Sequence, residues 1–330
     1  MIFHKLFLFS ELSLLGFLII VIIAAVVIDL IIGDPRWFPH PVIQIGKLIS
    51  VLEKRWNQGE GRKIKGFFLT CTVLSLVFCI TLAVIYLAYD IHLILGIVIE
   101  IYIISTTIAI KGLRSAAMDV WLPLTQGNLE EARERLSRIV GRDTEHLQES
   151  EIVRGTVETV AENTVDGITA PLFWAVIGGA PLAMVYRAIN TLDSMVGYKN
   201  EKFEKFGYAS AKLDDIVNWL PARLTAWTML FTSIFIKGSN RKDAIHITWR
   251  DAKKHPSPNS GWPEAMVAGL MAIQLGGVNY YNGQKSERAT MGEPMKVRTV
   301  SHIKQAILYM HGGWIGFILL LIITVFFIGK

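Results

Sequence analysis

Between residues 66 and 110 two apolar runs, 66–89 and 91–110, follow each other with only Asp90 between them. A helix of roughly 20 apolar residues spans the ~30 Å hydrocarbon core of a bilayer. In lipid the backbone must satisfy its own polar groups, which leaves helices or closed barrels. Asp90 and His92 mark a tight turn at a bilayer face, so the two runs read as a membrane hairpin with Glu100 near the middle of its second arm. The runs 12–32 and 312–329 also meet the length requirement. With 52% hydrophobic and 18% charged residues, the composition agrees. The expected fold is all-α: a polytopic helical membrane protein, one integral-membrane domain over 1–330, with cytoplasmic helical regions and broken membrane-adjacent helices.

The run 12–32 reads as a retained helix and not a secretory signal, because Lys5 and Glu11 make a poor leader and Gly33-Asp34-Pro35-Arg36 is no small-residue cleavage site. The segments 169–189, 216–236 and 262–277 carry prolines or charges and stay ambiguous between distorted spans and buried core helices. Lysines and arginines of 33–65, 111–168 and 237–311 place these regions on the cytoplasmic side by the positive-inside rule, making 111–311 a mostly cytoplasmic catalytic region of a cell-membrane protein. The net charge of +5 is spread over loops and forms no basic domain, so the partner it implies is the lipid bilayer and not nucleic acid. Cys71 and Cys79 both lie in an apolar run and support neither a disulfide framework nor a thiolate metal site.

Four polar stretches carry candidate chemistry. In 151–167, a regular helix puts Glu151, Glu158, Glu162 and Asp166 along one face at spacings of seven, four and four. Such a face repels itself unless a cation neutralises it. Mg²⁺ takes oxygen ligands from one or two carboxylates plus a phosphate, which suits Glu162, Asn163 and Asp166; a solvated acidic face explains the same spacing. Arg187, Asn190, Asp193 and Ser194 form a second stripe, and Asp214, Asp215 and Asn218 ahead of Arg223 a third. Each is a structural hydrogen-bond network or part of a polar cavity. In 255–264, His255, Ser257, Asn259, Ser260 and Glu264 sit on a proline-stiffened loop entering a helix, a ready anion site or a simple capped start. At 33–42, Asp34, Arg36 and His40 either line the same cavity or belong to an interfacial anchor.

Taken together, the stretches GDPRWFPHPV (33–42), VRGTVETVAENTVDGITAPLFW (153–174), YRAINTLDSMVGYKNEKFEKFG (186–207), LDDIVNWLPARL (213–224), HPSPNSGWPEAMVAGLMAIQLGG (255–277) and YYNGQ (280–284) resemble the adenosylcobinamide-phosphate synthase family of cobalamin biosynthesis. The resemblance implies an ATP- and Mg²⁺-dependent amide ligase. The propionate carboxylate of adenosylcobyric acid is activated, as acyl phosphate or adenylate, and aminopropanol or its O-phosphate displaces the activating group. On motif position, Glu162, Asn163 and Asp166 hold the metal, the 255–264 loop contacts a phosphate of the ATP cofactor or of the amine substrate, Arg187 or Arg223 faces phosphate, and Asp193 or Asp215 takes the amine proton. The corrinoid enters as substrate and not as prosthetic group. A non-catalytic membrane sensor or accessory protein, or a transporter, is the competing class; it has no need of this full set of polar motifs. The oligomeric state stays open.

Overall fold

A computed structural model describes residues 11–33 and 40–328. Asp34 and Arg36 of the 33–42 motif therefore lie outside the described residues. Thirteen α-helices and one two-stranded hairpin are found among the described residues. Four helices are long and apolar enough to cross a membrane: Arg62–Ile91, Leu93–Thr125, Glu149–Val196 and Ser301–Thr324. The chain is a helical polytopic membrane protein with a small β element.

The chain divides into two compact units, and the first comprises Met1–Ile110, Ala170–Asn218 and Leu321–Lys330. Its helices are α1 (Glu11–Ile31), α2 (Pro41–Trp56), α3 (Arg62–Ile91), α4 (Leu93–Ser105), α8 (Ala170–Val196) and α9 (Tyr208–Val217). The hairpin turn is one residue, His92, in extended conformation; its Nδ1 accepts from the Ile94 N–H at 3.1 Å and caps α4. His40 caps α2 in the same way, accepting from the Val42 N–H at 3.3 Å. The largely apolar α3 lies against α8, α4, α2 and α9. A Cβ on Gly66 would lie 1.7 Å from the Phe206 carbonyl oxygen, so α3 approaches that backbone as only glycine allows. Glu100, buried in α4, accepts from the Tyr89 hydroxyl at 2.6 Å and faces the break in α8 at Gly178–Gly179, where Gly179 has φ +61°. At the end of α1, Asp29 accepts from the Ile110 N–H at 2.9 Å.

The second unit comprises Lys111–Thr169 and Trp219–Leu320. It holds α5 (Ile110–Thr125), α6 (Leu129–Ser137), α7 (Glu149–Thr164), a π turn (Val165–Thr169), α10 (Trp219–Thr232), α11 (Arg241–Asp251), α12 (Gly261–Met271), the antiparallel strands β1 (Leu275–Tyr281) and β2 (Gln284–Met291), and α13 (Ser301–Ile328). Every residue of α12 is buried, which marks the central core helix of the unit. Its 11 residues give about 16 Å at 1.5 Å per residue, half a bilayer core. Thus the apolar segment 262–277 is core helix followed by strand, and α10 is likewise too short for a span at 14 residues. Helix α13 starts at Ser301, eleven residues before the apolar run at 312, because His302, Tyr309 and Met310 are buried in this unit. Hydropathy sees only the apolar end of such a helix. Gly312, Gly313 and Gly316 let α13 approach α10, where Thr228 Oγ1 donates to the Gly313 carbonyl at 2.9 Å.

Candidate functional site

The second unit gathers the acidic stripe and the proline-rich loop. Helix α7 opens with Glu149 and Glu151, carboxylates favoured at a helix N-terminus. Arginines neutralise the first half of the stripe. Glu151 Oε2 pairs with Arg154 at 2.6 Å and its Oε1 with Arg298 at 2.7 Å. Glu158 Oε2 pairs with Arg142 at 2.6 Å, while its Oε1 accepts from the Gly276 N–H at 2.8 Å. Both Arg142 and Arg154 also donate to Asn279 Oδ1, and Arg154 reaches the Gly276 and Val278 carbonyls. The β1–β2 hairpin is thereby docked on α7 through buried guanidinium groups. Gly155 makes room for this: a Cβ there would sit 2.8 Å from Arg142 Nη2.

Glu162, Asn163 and Asp166 remain partly exposed beyond the neutralised half. The π turn begins at Val165, so Asp166 opens a wider turn and does not continue the regular stripe. Asn163 Nδ2 donates to the Thr159 carbonyl at 2.9 Å. Ser260 Oγ donates to Glu162 Oε1 at 2.8 Å, which joins the AENTVDG and HPSPNSG strings across 98 positions of sequence. Among the described residues no three His, Cys, Asp or Glu side chains are grouped so as to hold a metal ion.

The loop before α12 uses several of its donors internally. Ser257 Oγ accepts from the Asn259 and Ser260 N–H groups at 3.2 and 3.3 Å, and His255 Nδ1 accepts from the Ser257 N–H at 3.0 Å. The Trp262 N–H goes to the Asn259 carbonyl, and Pro263 has none. A Cβ on Gly261 would lie 2.1 Å from the Ala252 carbonyl, so α12 must start on glycine. His255 and Glu264 face each other inside, Nε2 to Oε1 at 3.7 Å, with side chains only 7% and 4% exposed. Burial, followed by the nearby Glu158 and Glu162 charges, pushes the Glu264 carboxyl well above the usual carboxylate range. Burial also lowers the His255 imidazole, against the pull of Glu162. Arg223 is stacked between the indoles of Trp219 and Trp262, 4.1 and 4.7 Å from their centroids.

The first unit holds the other two stripes. Asn218 Nδ2 donates to Asp214 Oδ2 at 3.0 Å and accepts at Oδ1 from the Tyr186 hydroxyl at 2.9 Å. Arg187 Nη1 points to Asn190 Oδ1 at 3.5 Å. Burial, then the charge of Asp193, pushes the Asp214 carboxyl up to about 7. Asp215, in contrast, pairs with Lys212 at 3.1 Å. So the carboxylate beside Asp193 is Asp214; adjacency in sequence gives no signal to choose between Asp214 and Asp215. Arg142, Asn279 and Arg298 carry no local signal of a site, since each stands alone in the sequence and acts through contacts more than a hundred positions or a whole loop away.

A family model described as CobD/Cbib protein matches residues 22–310. The chain belongs to the CobD/Cbib family. The matched span of this CobD/Cbib member contains every residue of both clusters. It is 52% identical to "Cobalamin biosynthesis protein CobD" of Halalkalibacterium halodurans over 303 residues, 92% of this chain and 95% of that one. It is 48% identical to the protein of the same name in Leptospira interrogans over 282 residues, 85% of this chain and 89% of that one. With the Klebsiella pneumoniae protein, also so named, the identity is 46% over 86% of this chain and 90% of that one. No solved structure matches.

Proposed function

We propose that this chain is an ATP-dependent amide ligase of cobalamin biosynthesis, an adenosylcobinamide-phosphate synthase that joins aminopropanol or its O-phosphate to the propionate carboxylate of adenosylcobyric acid. The relatives' shared name supports the pathway. The observation that carries the chemistry is the Ser260–Glu162 hydrogen bond, which brings the two most specific strings together at a partly exposed acidic edge.

Glu162 and Asp166 with the Asn163 amide fit a Mg²⁺ that shares its coordination with phosphate, because this ion keeps water or phosphate ligands beyond one or two carboxylates. They do not fit a cation caged by protein alone, in line with the lack of a three-ligand group among the described residues. ATP with Mg²⁺ supplies the activating group that turns the propionate into an acylating agent.

The chain's own residues do the rest. Ser260 holds the Glu162 carboxylate in one rotamer, and Ser257, whose oxygen already accepts two N–H groups, keeps its hydroxyl proton for a phosphate oxygen. Burial raises the Glu264 carboxyl and so works against a further negative charge beside Glu162. Arg223, fixed by two indoles, or Arg187 offers a guanidinium to phosphate. The amine arrives as ammonium and must lose a proton before its lone pair attacks the acyl carbon. Asp193 with Asp214 is assigned that proton, in place of Asp215, whose charge Lys212 compensates. The active region faces the cytoplasm, where ATP is available, and the apolar helices sit in the cell membrane.

Purified full-length protein in detergent, given adenosylcobyric acid, ATP, Mg²⁺ and either amine, is expected to yield the amide product by corrinoid mass, with ADP or AMP reporting the activating step. A sensor or transporter would consume no nucleotide and leave the corrinoid mass unchanged.

A further inference from the structure

A groove of about 1180 Å³ opens in the second unit among α6, the 142–147 loop and the tip of the β1–β2 hairpin. Small-molecule pockets usually span ~300–1,000 Å³, so its size suits a ligand at or above the top of that range. Its walls are tied together. The Asp143 carboxylate accepts from the Asn282 and Gly283 N–H groups at 3.0 and 2.8 Å, and the Asp143 N–H donates to the Tyr280 carbonyl at 2.8 Å. Arg133 Nε donates to the Leu147 carbonyl at 2.8 Å. Arg142 forms part of the lining; its side chain is 7% exposed and its Nε has no hydrogen-bond partner. The same guanidinium bonds Glu158 one helical turn from Glu162, so the groove adjoins the acidic edge.

The chemistry of the lining selects among ligands. Four carboxylates, those of Glu130, Glu134, Asp143 and Glu145, line it together with the guanidinium groups of Arg133 and Arg142; Glu134 pairs with Arg138 at 2.6 Å, and Arg142 with Glu158. A triphosphate offers only negative acceptors and is repelled by this excess of carboxylates. A carboxamide presents N–H donors and a carbonyl acceptor side by side, so a wall mixing carboxylates and guanidiniums satisfies both halves. Leu147 and the exposed ring of Tyr280 add apolar contact.

We propose that this groove binds the amide-rimmed corrinoid macrocycle, with Arg142 marking the end nearest Glu162. The inference rests on the ligase reading above and adds the place of its large substrate. It is tested by equilibrium dialysis of full-length protein in detergent with adenosylcobyric acid and no nucleotide, read by corrinoid absorbance. Ser137→Trp plugs the groove from an exposed lining position, and Glu130→Ala with Glu145→Ala removes amide partners. Each variant should raise the corrinoid Kd by about tenfold or more, some 1.4 kcal/mol or above, while ATP binding and thermal unfolding match the parent. Corrinoid binding by the parent with an unchanged Kd in both variants overturns the groove and leaves the ligase reading standing. Weakened ATP binding in place of corrinoid binding also overturns it. A parent that binds no corrinoid at all overturns the ligase reading and the groove with it.

Discussion

Ser260 Oγ donates a hydrogen bond to Glu162 Oε1 at 2.8 Å, linking the start of α12 to the end of α7. One residue is the last before a fully buried core helix; the other follows Glu151 and Glu158 on its stripe and, unlike them, meets no arginine among the described residues. This contact makes the position of Glu162 a property of the core.

Replacing Ser260 by Ala removes a hydrogen bond to a charged acceptor, worth about 1.5–3 kcal/mol. A contact used in the transition state then costs roughly tenfold to a hundredfold in kcat/KM. Glu162→Gln should raise the Mg²⁺ requirement as well, while Ser260→Ala leaves it closer to the parent. Steady-state rates across a Mg²⁺ titration check both; parental kinetics for both variants would return the pair to a purely structural role.

The Arg142–Glu158 pair is buried on both sides, with side chains 7% and 11% exposed. Glu158→Ala leaves Arg142 without its carboxylate and Arg154 with Glu151 alone, a loss expected to cost about 3–5 kcal/mol. Limited proteolysis should then cut first at the undocked 275–291 hairpin. An Arg142→Leu, Glu158→Leu double variant should be less destabilised than the single Glu158→Ala, measured by thermal unfolding in detergent.

Asp214 titrates near 7, above the ordinary aspartate value of 3.8. Because the folded state favours its protonated form, the stability this group contributes is fully present below about 4 and is lost as pH rises through about 7. Activity should run the opposite way. As proton acceptor the Asp193–Asp214 pair must be ionised, so kcat should climb across pH 6–8 (roughly one unit either side of that value) and level off above it. A pH–rate profile of Asp214→Asn that keeps the inflection at parental height would assign the proton elsewhere.

The loop charges predict that 33–65, 111–168 and 237–311 share the cytoplasmic side. Cys71 and Cys79 are exposed and must first be replaced by Ser. A single cysteine at Asn282, on the exposed hairpin tip, should then react with an impermeant maleimide in inverted vesicles and stay protected in intact cells. Labelling from outside intact cells would overturn the proposed cytoplasmic ATP site.

Local pattern alone determined the apolar runs, the tight turn marked by Asp90 and His92, the helical class and the strings that carry the family, because these depend on composition and short-range periodicity; the structure narrowed that turn to His92 alone. Residue spacing also put Glu151, Glu158, Glu162 and Asp166 on offer. It could not say that arginines pair with Glu151 and Glu158, since Arg142 and Arg298 come from a loop and from a segment 147 positions away. Only the tertiary structure assigned Asp214 rather than Asp215 to Asp193, made 262–277 a core helix and strand, and turned the donors of the 255–264 loop inward. Ion pairing and burial are settled by what packs nearby in space, and neighbours from distant parts of the chain leave no periodicity to read.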